Sequence, residues 1–518
     1  MKTKKPASLS LFLVKLIQTT AILLIFTLSS CGGGKSINSA EDLKTYLDKQ
    51  PDNSPDKPIK ISVNVDESML LEIAEVINSA GKYVNLTLSS KTLTTIPDKA
   101  FFSEETGKGC EMLVEITIPK HVTGIGDSAF SGCTGLTEVT IPNSVTGIGT
   151  SAFVNCAGLT NVTLGHGVTS IEAETFSGCT SLTSITIPNN VTSIGDGAFK
   201  GCTSLTSVTI GNSVTEIGRF AFQDCTSLAS IKIPDSVTSI GDGAFRGCTA
   251  LTAITIPDSV TKIGDGAFRG CTALTAITIP DSVTSVGQDV FRGCTALTGI
   301  TIPNKVGSVR YGSFADCTSL TSITIPSGVT SIGGGAFQGC TRLTSVTMPK
   351  SVTTIGKNAF RGCTSLTGFT IPDTVTSIGG GAFYRCVSLQ SVQIPDGVTT
   401  IVGYSLSEET DGTFFGCTGL TSAAIGRNVT SIGASAFQGC SNLKTLTIPD
   451  SVQSIGQAAF SDCTSLTSVT FRGIIVPTRF GLAAFDGNLR MAYLTGGSGS
   501  RGTYSRANTS TTTSWKKR

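Results

Sequence analysis

The chain contains 518 residues, of which 39% are hydrophobic, 14% charged and 6% aromatic, together with 59 glycines. This hydrophobic fraction excludes a disordered chain without core material, and the low charge and aromatic content are untypical of an ordinary enzyme. The formal net charge is only +2, so we expect no nucleic-acid partner. Such a composition calls first for a search for internal repeats.

The first thirty residues read as a secretion signal. Four lysines and no acidic residue precede or flank an apolar stretch, Leu16–Leu28, which is too short to span a bilayer. The following residues, Leu28-Ser29-Ser30-Cys31-Gly32, resemble the bacterial lipoprotein signal, and this resemblance implies that Cys31 is lipidated. We therefore predict a signal peptide over 1–30 and a tether over 31–36. The alternative is an ordinary secretory signal with a coincidental cysteine.

The segment 37–85 does not repeat, and it is predicted to form a small α/β cap. Ser39 is a typical helix N-cap before a helix that runs through Leu47. Alternating residues predict a strand over Ile59–Val65, and Met69–Ile77 reads as a second helix. We expect this segment to shield the open edge of the structure that follows. A separate binding domain is the alternative.

A strict repeat occupies residues 86–471. Cysteines recur at one constant interval from Cys110 and Cys133 up to Cys386 and, after a single longer interval, again from Cys417 to Cys463. With each cysteine as position 0, apolar residues recur at positions 3, 6, 8, 12, 15 and 20. Apolar residues on both sides of a polar position 7 predict a short strand with one buried face, and Pro at position 9 ends it. The second apolar pair suits a turn or a short second strand. The Gly that follows it, at position 16, is interpreted as permitting the bend that returns the chain.

A single repeat unit is too short to bury its own apolar face, so successive units must stack into a solenoid. Stacking would place the Phe at position 20 of every unit in one interior column. The cysteines, at about 4.8 Å spacing, could form disulfides on distance alone. Because every turn has an equivalent cysteine, a column of buried, reduced thiols is the preferred interpretation.

These residues match a known family. The pattern Leu-x-x-Ile-x-Ile-Pro, then Val-x-x-Ile-Gly-x-x-Ala-Phe-x-x-Cys, resembles the BspA-like leucine-rich repeats of bacterial surface proteins, of the spirochaete and Bacteroidetes type. The resemblance implies a right-handed leucine-rich-repeat arc of about 17 coils, with one parallel strand per coil and little helix. It also implies surface display and adhesion to host proteins or to other cells.

No catalytic or metal motif interrupts the repeat. The two histidines, His121 and His166, lie two coils apart without carboxylate or cysteine partners in sequence. We therefore predict no enzymatic activity, no cofactor and no metal.

We expect the binding site to lie on the concave face, which the strands are expected to line. Position 7 is polar and points away from the core, because positions 6 and 8 point inward. The candidate protein-binding residues are Glu115 and Glu138 at position 5, and at position 7 Thr186, Thr209, Lys232, Thr255, Thr278, Thr301, Thr324, Thr347, Thr370 and Gln393. Extra residues at 102–109 and 402–413 predict surface loops that either modify binding or are neutral.

The end of the chain, 472–518, is predicted to contain an altered last coil, a C-terminal cap and a tail, with disorder after residue 498 as the alternative. Taken together, these features predict a lipid-anchored protein of the outer membrane or cell surface that binds host extracellular or plasma proteins. The alternative is a structural or cell–cell interaction protein that acts by self-association.

Overall fold

The structure, a computed structural model, describes residues 37–407, 411–495, 499–507 and 514–518. The predicted signal peptide, Cys31 and the tether lie outside these residues. Residues Asn38–Arg518 form one unit, a parallel β-solenoid of about 18 turns with little helix. The predicted fold class is therefore confirmed.

Every regular turn of the solenoid except the one that begins at Cys363 contributes a first strand at positions 5 to 7. Its central side chain is buried and its two flanking side chains are exposed in nearly every turn, as the alternation predicted. The first strands are Leu113–Thr117, Glu138–Thr140, Asn161–Thr163, Ser184–Thr186, Ser207–Thr209, Ser230–Lys232, Ala253–Thr255, Ala276–Thr278, Gly299–Thr301, Ser322–Thr324, Ser345–Thr347, Ser391–Gln393, Ser422–Ala424, Thr445–Ile448 and Ser468–Phe471.

Most turns add a second strand of two residues at positions 14 and 15, the option that the sequence left open beside a simple turn. Its inner residue is an Ile or Val that packs in the core. The second strands are Thr95–Ile96, Gly124–Ile125, Gly147–Ile148, Ser193–Ile194, Glu216–Ile217, Ser239–Ile240, Lys262–Ile263, Ser285–Val286, Ser308–Val309, Ser331–Ile332, Thr354–Ile355, Ser377–Ile378, Thr400–Ile401, Ser431–Ile432 and Ser454–Ile455.

Neighbouring turns pair in one register, so equal positions stack in columns. Ala253, Ile254 and Thr255, for example, pair in parallel with Ala276, Ile277 and Thr278. Polar side chains reinforce this stacking, because the Thr hydroxyl at position 13 donates to the position-13 carbonyl of the preceding turn in most turns. For Thr215 and Thr192 this distance is 3.2 Å.

The phenylalanines at position 20 form the predicted interior column. Consecutive rings from Phe101 to Phe485 have centroids 4.7 to 5.6 Å apart, and their planes differ by at most 14°. Nearly all of these rings are fully buried. Parallel turns about 5 Å apart leave no room for an edge-to-face arrangement, so the rings stack.

The sixteen repeat cysteines form a second column, and all of them are free and buried. In fifteen turns the thiol donates to a Phe carbonyl of the neighbouring layer, one repeat before the Phe that precedes the cysteine in sequence; Cys248 Sγ lies 3.1 Å from Phe222 O. Burial raises the pKa of Cys248 and Cys294 to about 12. The thiols therefore stay protonated and join one turn to the next, which agrees with the preferred interpretation.

The N-terminal segment extends the first-strand sheet. A helix covers Ala40–Leu47, with the Ser39 hydroxyl accepting from Asp42 N–H at 3.1 Å. The strand Ile59–Asn64 pairs in parallel with Val84–Ser89, which pairs with Leu113–Thr117. A short 3-10 turn, Glu67–Met69, precedes the helix Leu70–Ala80. Both helices and the strand lie where the sequence predicted them, apart from a few terminal residues.

The C-terminal segment adds strands to the last first-strand sheet, at the other end of the solenoid. Strand Gly502–Ser505 pairs antiparallel with Ser468–Phe471, and Lys516–Lys517 pairs with it in turn. A 3-10 turn covers Pro477–Arg479, and a helix covers Leu489–Leu494. The buried Trp515 donates from Nε1 to Asp486 O at 2.9 Å. The described residues after 498 are thus packed on the last turns.

Candidate functional site

The outward positions 5 and 7 of the first strands form one continuous surface, which we call the strand face. All twelve candidate residues lie on it and all are exposed. The registers bring neighbours directly side by side: Thr186 pairs with Thr209, and Thr324 pairs with Thr347. The residues that the sequence selected therefore share one face, because the inward position 6 is apolar in every turn.

The strands that carry position 7 do not form one continuous sheet. Thr186 and Thr209 belong to the first sheet, Lys232, Thr255, Thr278 and Thr301 to the second, and Gln393 to the last. Thr370 lies outside any strand, and the first-strand part of its turn pairs with the preceding turn through a single bridge, between Ser345 and Gly368. The aromatic Phe369, at the inward position 6, packs edge-on against Phe360 and Phe383 with centroids 4.9 Å away.

The N-terminal end of the strand face carries an acidic groove of about 820 Å³. Glu115 and Glu138 are paired in register on its floor, and Asn85 Nδ2 donates to Glu115 Oε2 at 2.6 Å. Lys120 and His166 also line the groove. The two glutamates predicted from sequence are thus brought together, within a hollow that the strand pattern alone did not show.

The C-terminal end of the strand face carries a second groove of about 740 Å³, which is lined by charges of both signs. It is lined by Gln393 together with Arg427, Asp450 and Arg472. Arg427 Nε and Nη2 donate to Asp396 Oδ2 at 2.9 and 2.7 Å, and this hydrogen bonding lowers the pKa of the Asp396 carboxyl. Sequence reasoning missed the two arginines. The signal was available, since Arg472 replaces the usual Pro at position 9 and Arg427 the usual Asp or Asn at position 10.

Lys232 is the cation near the middle of the strand face. It is exposed, pairs in register with Thr255, and its ammonium makes no ion pair with any residue that the structure describes. A cation without a partner on a neutral threonine surface is free to meet an acidic group of a ligand.

Comparison with known proteins decides the family. The model for the BspA type leucine-rich repeat region matches six overlapping stretches, 72–179, 94–229, 169–298, 215–344, 284–411 and 405–501. The chain belongs to this family. A search among curated proteins returned no match.

Three solved structures are similar to parts of this chain. A leucine-rich repeat protein from Bacteroides ovatus is 34% identical, with 52% of this chain and 82% of that one covered and a TM-score of 0.41. A leucine rich cell surface protein from Faecalibacterium prausnitzii is also 34% identical, with coverages of 55% and 82% and a TM-score of 0.38. A leucine-rich repeat protein from Eubacterium ventriosum is 25% identical, with coverages of 58% and 90% and a TM-score of 0.41.

The two insertions of this BspA-type solenoid lie beside the turns. The first folds as a hairpin, with Phe102–Ser103 antiparallel to Lys108–Gly109. The second contains residues 408–410, which are not described. Beyond them Asp411 forms an ion pair with Arg361, whose guanidinium lies 4.1 Å from the centre of the Tyr384 ring. The Asp411 carboxylate is therefore engaged with the solenoid itself.

The described part of this BspA-type chain contains no group of three His, Cys, Asp or Glu residues arranged to hold a metal ion. Within the same residues, no helix has the length and apolar character needed to cross a membrane. The predicted lipidation residue, Cys31, lies outside the described ranges.

Proposed function

We propose that this protein is a lipid-anchored adhesin of the bacterial surface that binds host extracellular or plasma proteins through its strand face. The observation that carries the proposal is the strand face itself, a long exposed surface of threonines that the solenoid repeats turn after turn. Such a surface offers many weak polar contacts to a large ligand. Among the described residues it carries no cluster of side chains arranged for catalysis.

Three features support a protein ligand. The strand face is flat and weakly charged in its middle, as suits a large partner rather than a small molecule, which needs a concave and enclosed site. Its two ends carry different charged groups, Glu115 and Glu138 at one end and Arg427 and Arg472 beside Asp450 at the other, and this difference can orient a partner. Lys232 and Gln393 interrupt the threonine row and supply specific contacts.

The anchor rests on the N-terminal sequence. The motif ending in Cys31 resembles a lipoprotein signal, and two or more acyl chains hold a protein on a membrane far more firmly than one. Cys31 is also the only cysteine outside the regular lattice of the repeat, so no stacking role accounts for it.

The test is binding of residues 38–518 to a panel of extracellular-matrix and plasma proteins at physiological salt. We expect saturable binding that weakens on the order of tenfold or more in the variant Lys232→Ala/Gln393→Ala. The matched control is Lys262→Ala/Gln288→Ala, which removes the same two residue types from exposed positions away from the strand face. An equal loss of affinity in both variants would show that the strand face is not the binding surface. Concentration-dependent self-association without binding to any panel member would favour the structural, cell–cell alternative.

A further inference from the structure

A backbone hydrogen bond joins each regular turn to the preceding one on the second-strand side. The N–H at position 16 donates to the carbonyl at position 15 of the preceding turn, as from Gly264 to Ile240 and from Gly287 to Ile263, both at 2.9 Å. A Cβ on Gly287 would lie 2.4 Å from the backbone nitrogen of Asp265. Neither glycine has a positive φ, so the sequence-based reason for this Gly, a bend in the chain, was wrong. Close approach of two backbones is the reason.

Before the altered last coil, three turns carry another residue at position 16, namely Glu172, Arg310 and Val402. In these turns the bond from position 16 to the preceding turn is absent among the described residues. The second-strand sheet also breaks at these places. Its sections end at Ile148, Val286 and Ile378, immediately before the three turns. A side chain at position 16 therefore goes with the loss of second-strand pairing between the two turns. The bonds that follow in the chain remain, as from Asp289 N–H to Tyr311 O at 2.8 Å.

The same three turns differ at position 19, where the other turns have Ala, apart from Val290. Here the residues are Thr175, Ser313 and, when the eight extra residues of the second insertion are left out of the count, Thr413. All three are buried. Each hydroxyl donates to the carbonyl of the residue at position 16, at 2.8 Å to Glu172, 2.9 Å to Arg310 and 2.8 Å to Val402. The turn that has lost a bond to its neighbour has gained one within itself. The residues at positions 16 and 19 are thus replaced together, and the second replacement compensates for the hydrogen bond that is lost with the first.

In the first turn, too, a residue other than Gly at position 16 goes with a missing second-strand partner on the preceding side. Pro97 holds the place three residues before Ala100 that Gly holds before Ala elsewhere, and its strand, Thr95–Ile96, is the edge of its sheet. From residue 37 onward no second strand precedes it, and Pro has no N–H to leave unpaired there. The donor at position 16 is thus lacking, or has no partner among the described residues, wherever the second strand of a preceding turn is not paired with its turn.

In two of the three turns the first-strand side stays bonded across the same step. Asn161 still pairs with Glu138, and Gly299 still pairs with Ala276. A step that keeps its first-strand bonds but has lost its second-strand bonds can widen on the second-strand side at lower cost than a regular step, because fewer hydrogen bonds have to break there.

We propose that the turns containing Glu172, Arg310 and Val402 are flexure points, at which stiff blocks of the solenoid tilt relative to one another. The paired replacements at positions 16 and 19 define each flexure point. Tilting there changes the angle between the strand faces of adjoining blocks, so a long surface can fit a partner that a rigid one would touch only in part.

The test measures distances between spin labels by pulsed electron paramagnetic resonance. Labels are attached to introduced cysteines, since the sixteen repeat thiols are buried. The pair Ser239→Cys and Ser331→Cys spans four turns across the step at Arg310. The control pair, Ser193→Cys and Ser285→Cys, spans four turns with Gly at position 16 in each step. All four sites are half-buried serines at position 14.

We expect the distance distribution across Arg310 to be roughly twice as broad as that of the control pair. The variant Arg310→Gly/Ser313→Ala, which gives this turn the residues of its neighbours, should narrow it to the control width. Hydrogen exchange gives a second reading, in which the Arg310 amide exchanges on the order of tenfold or more faster than those of Gly264 and Gly287. Equal widths for the two pairs would overturn the proposal, as would a distribution that stays broad in the folded double variant. If that variant fails to fold, the comparison of the two pairs in the otherwise native chain decides.

Discussion

Removal of one ring from the phenylalanine column tests whether stacking of turns holds this solenoid together. Phe268 is fully buried, and its ring centroid lies 5.6 Å from those of both Phe245 and Phe291. Replacement of a buried Phe by Ala costs about 3–5 kcal/mol, because the lost transfer free energy is joined by that of the cavity. The upper part of this range applies here, since the rigid backbones on either side cannot collapse into the space and two stacked pairs are lost.

The assay is urea unfolding of Phe268→Ala beside the unsubstituted chain, followed by circular dichroism. The free energy change is the shift in midpoint multiplied by the slope. Because the array is nearly one-dimensional, weakening a middle turn should also broaden the transition. Tyr311→Ala is the control, since its ring is 55% exposed and its removal should change stability by no more than about 0.5 kcal/mol. An unchanged midpoint for Phe268→Ala would refute the stacking argument.

Three further predictions concern the glycines, the thiols and the anchor. Gly264→Ala should destabilise by about 2 kcal/mol or more, because its Cβ would lie 2.5 Å from Asp242 N, whereas Gly147→Ala, with nothing within 4 Å, should stay within about 0.5 kcal/mol in the same urea assay. Burial raises the pKa of six repeat thiols from 9.0 to about 12; their contribution to stability is therefore complete below pH 9 and is lost as the pH rises toward 12, which the urea midpoint measured across this range will show. Cys31→Ser should move the protein from the membrane fraction to the soluble fraction of the producing cells, and mass spectrometry should find no acyl chains on it.

The repeat made most of the fold predictable, because one physical argument applied to every turn at once. The Phe column, the buried thiols and the exposed position 7 each follow from side-chain type and the constant spacing of the repeat. The interruptions did not follow. Glu172 and Thr175 lie three residues apart and look like two unrelated substitutions until the structure shows a hydroxyl bonded to a carbonyl. Arg427 was likewise overlooked, because its partner Asp396 lies in the preceding turn, on the far side of the second insertion.

The near-identical turns that begin at Cys248 and Cys271 allow the one-dimensional argument to be tested by deletion. Removing residues 248–270 joins Gly247 to Cys271 and takes out one complete turn. Every contact at the new junction has a precedent. Phe245 would stack on Phe291 as it now stacks on Phe268. Asp242 Oδ1, which accepts from the Asp265 amide at 2.9 Å, would accept from Gln288, just as Asp265 now does at 2.8 Å.

The shortened chain should therefore fold with its column intact, and it should lose only the stability of one turn and one interface. Removing one residue fewer, 248–269, is the control. It leaves an extra Gly before Cys271, shifts the following strand by one position and turns its inward face outward. Circular dichroism and the urea midpoint separate the two deletions. If the shorter deletion is as stable as the deletion of one complete turn, register does not hold the turns together. If neither folds, the turns are not independent units, and the nearest-neighbour description of this solenoid is wrong.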